Sequence, residues 1–492
     1  MRIIMFMGKG GTGKTSSALA TGILCADKGH RTLVISTDGG HSIPDALEMP
    51  VGSEPTRVTE RLYAMELDAR SEVEKNWGSI RDYMNALFAT RLDESLAAEL
   101  SQMPGIEELL GVLKIEEFRN QWDVMVLDSA PTGQALRFLM VPEVMGRFGL
   151  ELIKLQRTAT KLLKPMQPVL PIPIPDESVY EQAEGMIKKL KLAGDIMRDP
   201  DVSSIRLVTN PEKMAVLQTQ RNFTFMSLFG FNVDMVILNR FFPDNVGDYF
   251  SRWKQIQNDY TRAVESSFYP IPLRKVKYFQ NEVVGLENLR EMGIEIYGEE
   301  DPSSVFHKGK PFEVTKEEGY YVLKLQIPFI AKGDVKLSQD GDMLSISVRS
   351  SVSVYEREIA LPKVLEGKEA VGAKLDEKAS SLFIRFKRKG SLQGGSQRRK
   401  STYNHFLRNQ MDEKGSDRSS VDDPLFSLLR TMVEPLGVLA LCPLVALAIS
   451  HRDNPHVMAA RREILLALKD EIERELGEGG GAPPKRKEIR LE

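Results

Sequence analysis

The stretch Gly8-Lys9-Gly10-Gly11-Thr12-Gly13-Lys14-Thr15 follows the apolar run Ile3 to Met7 and leads directly into the helix-forming run Ser16 to Lys28. It fits the phosphate-loop pattern G-x-x-x-x-G-K-[ST] in the context that gives the pattern meaning, a strand before it and a helix after it. Glycines let the backbone curl so that successive N–H groups point at phosphate oxygens, and the following helix adds the positive end of its dipole. Gly8, Lys9, Gly10, Gly11, Thr12, Gly13, Lys14, Thr15 and Ser16 are therefore the candidate nucleotide contacts. Lys14 is expected to reach the β- and γ-phosphates and Thr15 to ligate magnesium, which makes ATP and Mg2+ the expected ligands.

Lys9 narrows the class. With Lys14 serving the bound nucleotide, a second lysine just after the first glycine is free to point outward. There it resembles the signature lysine of the deviant-Walker ATPases, which form nucleotide-sandwich dimers and reach this lysine across to the partner's phosphates. The resemblance implies a homodimer in which Lys9 acts in trans as a catalytic cation, in the manner of an arginine finger. A solvated loop lysine is the other reading.

Two further segments separate the members of that class. Strand-like Thr32 to Thr37 runs into Asp38-Gly39-Gly40-His41-Ser42, and strand-like Val124 to Leu127 runs into Asp128-Ser129-Ala130-Pro131-Thr132-Gly133, followed by Leu136-Arg137-Phe138-Leu139. These resemble the switch I pattern D-P-A-H-S and the switch II pattern D-T-A-P-T-G-x-x-L-R-[FL]-L of the ArsA-type group, which includes the tail-anchored-protein targeting ATPases. By that resemblance Asp38 is catalytic and orients the attacking water, while Asp128 sits in the second coordination sphere of the magnesium ion that Thr15 ligates. Both placements suit carboxylates at the carboxyl ends of parallel strands, and a helix N-cap or turn role is the alternative for each. Gly39-Gly40 stands where the group has Pro-Ala; it raises loop entropy and predicts a less preorganised switch with slow basal hydrolysis. Asn239, closing a strand, resembles the group's adenine-reading asparagine, and a strand-end turn residue is the competing reading.

Composition fits a multidomain protein. The chain has 492 residues, is 42% hydrophobic and carries a formal net charge of −3, so nothing suggests nucleic-acid binding. Cys25 and Cys442 are its two cysteines, far apart, which excludes a disulfide framework and points to a reducing compartment. The first strand begins almost at the N-terminus and leaves no room for a signal peptide. The expected location is cytoplasmic, with peripheral attachment at a membrane as a variant. The CxxC zinc pair of eukaryotic targeting ATPases and the several thiols of arsenite-pump ATPases are both missing.

Apolar runs at Ile205 to Val208 and Val233 to Leu238 join those above in an alternation with helical periodicities. They predict an α/β fold, a P-loop NTPase with a doubly wound parallel sheet over residues 1–300. Helical stretches Trp77 to Phe118 and Met140 to Met197 are rich in methionine. By resemblance they build a helical subdomain with a groove for a hydrophobic or transmembrane client, whereas simple core packing is the plainer reading.

After Gly298 the texture changes. Tyr320 to Ile327, Asp334 to Gln339, Met343 to Val348, Val354 to Leu361 and Ser381 to Phe386 alternate apolar and polar residues. With Ile327-Pro328-Phe329 and Ile359-Ala360-Leu361-Pro362, residues 310–389 resemble the α-crystallin domain of small heat-shock proteins, an all-β sandwich. A flexible linker is expected over 390–423, an apolar and amphipathic helical hairpin over 424–478, and a disordered tail over 479–492; the apolar run Pro435 to Ser450, short of the roughly twenty residues of a membrane span, reads as an anchor, a plug for the client groove or a packed or interfacial helix. Within that tail, Ile489-Arg490-Leu491 resembles the docking motif of small heat-shock proteins.

The resulting expectation is an ATP-hydrolysing dimer that acts as a chaperone or targeting factor for hydrophobic segments, with a membrane protein as a further partner. The alternatives are the ATPase subunit of an arsenite or other anion pump, and a nucleotide-gated scaffold with little hydrolysis.

Overall fold

The computed structural model describes residues 1–37, 42–68, 71–72, 106–129, 153, 157, 175–309, 312–317, 319–349, 354–362, 364–377, 380–388 and 487–491. Asp38 and the rest of the 38–41 segment, most of the methionine-rich helical stretches, the 390–423 linker and the 424–478 hairpin lie outside the described residues.

The α/β half contains strands β1 (Arg2–Gly8), β2 (Thr32–Ser36), β3 (Thr56–Arg57), β4 (Leu62–Glu66), β5 (Val124–Asp128), β6 (Ser203–Thr209), β7 (Val233–Phe241) and β8 (Leu273–Lys277). They form one eight-stranded sheet in the order β3-β4-β2-β5-β1-β6-β7-β8, parallel except for the antiparallel edge strand β3. Central strands β1, β2, β5 and β6 are buried throughout, which is why they read as unbroken apolar runs rather than alternating ones. After β1 the chain moves to one side of the sheet and later returns to the other. The carboxyl end of β1 is therefore the topological switch point, where such sheets bind ligands.

Helices α1 (Lys14–Asp27), α2 (Ser42–Leu47), α3 (Ile106–Phe118), α4 (Glu177–Arg198), α5 (Lys213–Phe229), α6 (Ser251–Phe268) and α7 (Gly285–Tyr297) cover the sheet. Helix α1 sits between the sheet and α7, with Gly22 against Val34 and Gly293 of α7 against Ala20 and Leu24. Its sequence is accordingly apolar on most sides, and Ala18 to Ala26 are buried. Helix α4 is capped by Asp176, whose carboxylate accepts from the Val179 N–H and the Ser178 hydroxyl. No helix among the described residues is long and apolar enough to cross a membrane.

The exit from the α/β half is pinned by buried charge. Arg206 is fully enclosed and donates to Asp234, to the Tyr297 hydroxyl at 2.8 Å and to the carbonyls of Pro302 and Ser304. Arg2 shares Asp234 at 3.1 Å and reaches the Ser303 carbonyl at 3.0 Å. One carboxylate faces two guanidinium groups, and backbone carbonyls together with the Ser204 and Tyr297 hydroxyls take up the remaining donors, as burial of such charges demands.

The second half is all β. Strands β9 (Phe312–Glu317), β10 (Tyr320–Gln326), β14 (Lys368–Asp376) and β15 (Ser381–Arg388) form one antiparallel sheet in the order β14-β15-β10-β9. Strands β11 (Val335–Asp340), β12 (Met343–Arg349), β13 (Val354–Ala360) and β16 (Lys487–Glu488) form another, in the order β13-β12-β11-β16. Inward residues such as Leu337, Ile346, Leu382 and Ile384 fill the space between them.

Strand β16 departs from the expectation of a disordered tail over 479–492. Lys487 and Glu488 pair with Gln339 and Ser338, the Ile489 N–H donates to the Leu337 carbonyl at 3.0 Å, and the Ala373 N–H donates to the Arg490 carbonyl at 3.1 Å. Ile489 is 7% exposed and belongs to the sandwich core. The tail thus bridges the edges of the two sheets, satisfying strand-edge groups that would otherwise be open to foreign pairing.

The halves share one core. Phe329 packs edge-on to Phe223 of α5 and also meets Phe268 of α6. Tyr355 of β13 meets Phe225 at 5.6 Å, the Thr224 hydroxyl donates to the Pro328 carbonyl at 2.8 Å, and Arg357 donates to the Leu228 carbonyl. The sandwich is therefore docked along α5 rather than hung from a loose tether.

Candidate active site

The site assembles at the carboxyl ends of β1, β2 and β5. Gly8 ends β1 so close to its neighbour that an added Cβ would lie 2.2 Å from the Val208 carbonyl oxygen of β6. The loop then turns back on itself, and Thr12 donates both its N–H and its hydroxyl to the Lys9 carbonyl, the hydroxyl at 2.8 Å. Gly13 caps α1 in the left-handed region at φ 91°, a conformation that leaves the first N–H groups of α1 facing the loop. An anionic phosphate chain is the natural occupant of such a cradle.

Lys14 and Lys9 stand in different environments. Lys14 is 6% exposed, tucked into the first turn of α1, whereas Lys9 is exposed to solvent together with Gly10 and Gly11. The Thr15 hydroxyl donates to Asp128 Oδ2 at 2.7 Å and lies 3.4 Å from the Ser42 hydroxyl at the start of α2. Asp128 itself is 1% exposed at the end of β5, in register with Phe6 of β1 and Ser36 of β2. A carboxylate with two adjacent hydroxyls is a set of hard oxygen donors. It suits Mg2+, which binds through one or two such groups and completes its shell with water and substrate phosphates. The expected pair Thr15 and Asp128 is thus brought together, although the residues are 113 positions apart.

Several residues complete the site that sequence reasoning did not single out. Thr37 donates its N–H to the Asp128 carbonyl at 2.9 Å, and the Ser129 hydroxyl donates to the Phe6 carbonyl at 2.7 Å. Buried Glu66, at the end of β4, accepts from the Ile43 N–H at 3.1 Å. These contacts fix both ends of the segment that carries Asp38 and the start of the segment after Asp128. Their sequence signal was adjacency to the two aspartates for Thr37 and Ser129; Glu66 had none.

Asn239 is also at the site, behind the loop. Its Nδ2 donates to the Thr12 carbonyl at 2.9 Å, its Oδ1 accepts from the Arg240 N–H, and a Cβ on Gly13 would lie 2.3 Å from Nδ2. The carboxamide therefore bolts β7 to the phosphate loop. Ser16 follows Thr15 in the first turn of α1, half-buried.

Comparison with known proteins agrees with this geometry. Residues 1–298 match the family model described as anion-transporting ATPase, and residues 318–386 match an HSP20-like domain found in ArsA. A protein of Aquifex aeolicus, named provisionally as arsenical pump-driving ATPase 1, is 34% identical over 78% of this chain and 100% of its own length. A protein of Prosthecochloris vibrioformis, provisionally named an arsenical pump-driving ATPase, is 35% identical over 75% of this chain and 92% of its own. The ATPase ASNA1 homolog 1 of Paramecium tetraurelia is 26% identical over 59% of this chain and 91% of its own length. With the phosphate loop, the paired Thr15 and Asp128 and the sandwich all in place, this chain belongs to the ArsA family of anion-transporting ATPases and carries that family's HSP20-like domain.

Proposed function

We propose that this ATPase works as a nucleotide-switched dimer that chaperones or targets hydrophobic segments of other proteins. The observation that carries the proposal is the contrast between its two loop lysines: Lys14 is buried in the first turn of α1, while Lys9 is exposed to solvent on the same loop. An exposed cation at that position is free to reach the phosphates of a second copy.

In this reading the loop N–H groups and Lys14 bind the ATP phosphates, and Thr15 with Asp128 holds Mg2+. The ion would neutralise charge that develops on the transferring phosphoryl group. Asp38 orients the attacking water, and Lys9 of the second protomer supplies positive charge as the dimer closes. Thr37, Ser129 and Glu66 tie the flanks of both switch segments to the strand ends. Nucleotide state is thereby communicated to the chain on either side. Asn239 acts on the nucleotide through the loop that it braces.

The test is binding of a transmembrane-helix peptide to the full chain with ATP, with ADP and without nucleotide. Binding that requires ATP, together with peptide-stimulated hydrolysis, supports the proposal; nucleotide-independent binding or none refutes it.

A second reading, the ATPase subunit of an anion pump, is favoured by the names of the relatives from Aquifex and Prosthecochloris. Two cysteines count against a three-thiol arsenite site within one chain, and burial pushes the Cys25 thiol up to about 12, which keeps it protonated. Arsenite-stimulated hydrolysis would favour the pump.

A further inference from the structure

Where the sandwich docks on the α/β half, the two surfaces do not close completely. They leave a cavity of about 310 Å³, walled by Phe223 and Phe268 on one side and by Gln326 and Pro328 of the sandwich on the other. Its size is at the lower end of the roughly 300–1,000 Å³ of small-molecule sites, and domain junctions are where such sites concentrate. The cavity lies on the sandwich side of α5 and shares none of its lining residues with the phosphate loop.

Its chemistry is selective. The rings of Phe223 and Phe268 pack on each other with centroids 5.2 Å apart and form one apolar wall, Phe223 half-buried and Phe268 almost wholly covered behind it. Exposed Tyr269, at 84%, stands at the rim. Three polar side chains of the lining, Ser227, Gln326 and His307, make no hydrogen bond to another described residue. By contrast Asn232 is already committed, donating to the His307 carbonyl and accepting from the Gly309 N–H. No Lys, Arg, Asp or Glu is among the described lining residues. Burial also holds the His307 imidazole below its ordinary range, hence neutral. Among the described lining residues a charged guest would find no counter-charge for its lost hydration, whereas a neutral one would find an apolar wall and hydrogen-bonding groups.

We propose that this junction is a binding site for a neutral, one- or two-ring aromatic molecule bearing a hydrogen-bonding group, packed against the wall that Phe223 and Phe268 form and oriented by Ser227, Gln326 and His307. Because it touches both halves, such a ligand would stabilise their docked arrangement. The proposal does not depend on the nature of the client.

Indole is a suitable probe, with two fused rings and one donor, and indole-3-carboxylate is its charged counterpart. Isothermal titration calorimetry on the full chain should show saturable indole binding. Gln326→Ala, on a half-buried strand position, should weaken it about five- to tenfold by removing one hydrogen-bonding group. Ser227→Phe should abolish it by filling the cavity, and indole-3-carboxylate should bind at least about a hundredfold more weakly than indole. Absence of saturable indole binding up to its solubility would overturn the proposal. So would equal affinity in wild type, Gln326→Ala and Ser227→Phe, or a carboxylate that binds as tightly as indole.

Discussion

The Thr15 hydroxyl donates to Asp128 Oδ2 at 2.7 Å, joining the first turn of α1 to the end of β5 across the carboxyl edge of the sheet. This bond fixes a hydroxyl and a carboxylate where a magnesium ion bound to ATP would need them.

Asp128→Asn should therefore weaken the apparent magnesium affinity about 10- to 100-fold, the usual effect of removing a group that positions a metal ligand. Titrating Mg2+ against hydrolysis rate at saturating ATP measures it. An unchanged magnesium dependence would remove Asp128 from the metal site.

Asn239→Ala takes away the donor to the Thr12 carbonyl. The loop should then bind ATP and GTP more weakly by the same factor, about five- to tenfold for one lost hydrogen bond. Loss confined to ATP would instead assign the carboxamide to reading adenine, as the resemblance implies.

Ile489→Ala should lower unfolding stability by about 2–4 kcal/mol, the range for emptying a buried aliphatic site. Guanidinium denaturation followed in the sandwich checks this. A change below about 0.5 kcal/mol, typical of surface positions, would mean that the tail is not held where the structure places it.

His307 gives the junction a pH dependence. Burial depresses its folded pKa, so below the ordinary histidine value of about 6.5 the unfolded chain takes up the proton first. Its stabilising contribution is present above that pH and is lost as pH falls through the folded pKa. Replacing it by Gln should flatten the stability profile on the acid side of about pH 6.5 while leaving pH 8 unchanged. An identical slope in both proteins would contradict this assignment.

Much of the α/β half was legible because its central strands are buried on both faces and so read as unbroken apolar runs between glycine-rich turns. The sandwich was less so. Strand β14 contains Gly372 and a register shift between Ala370 and Gly372, which breaks the two-residue alternation by which half-buried strands are recognised. The tail motif Ile489-Arg490-Leu491 was legible by resemblance as a docking sequence, but its pairing as β16 with the edge of β11 in its own sandwich was not, because that edge lies some 150 positions earlier. For Asn239, residue type and strand-end position suit a base contact, and the fold adds its hydrogen bond to the Thr12 carbonyl, which no local pattern shows. The docking of the sandwich on α5 was hidden because Phe223 and Phe225 serve interdomain packing, which no local periodicity distinguishes from the core of one domain.

The central claim, a dimer that exchanges Lys9 between protomers, is tested most directly by mixing two inactive variants. Lys9→Ala keeps Asp38 and lacks the lysine it would lend; Asp38→Asn keeps Lys9 and cannot orient water. In a mixed twofold dimer, the site in the Lys9→Ala protomer holds its own Asp38 and receives Lys9 from its partner. Steady-state hydrolysis of an equimolar mixture should recover to about a quarter of the wild-type rate, from half the dimers with one working site each. Each variant alone should be inactive. No recovery on mixing, or full activity of Lys9→Ala alone, would contradict the account.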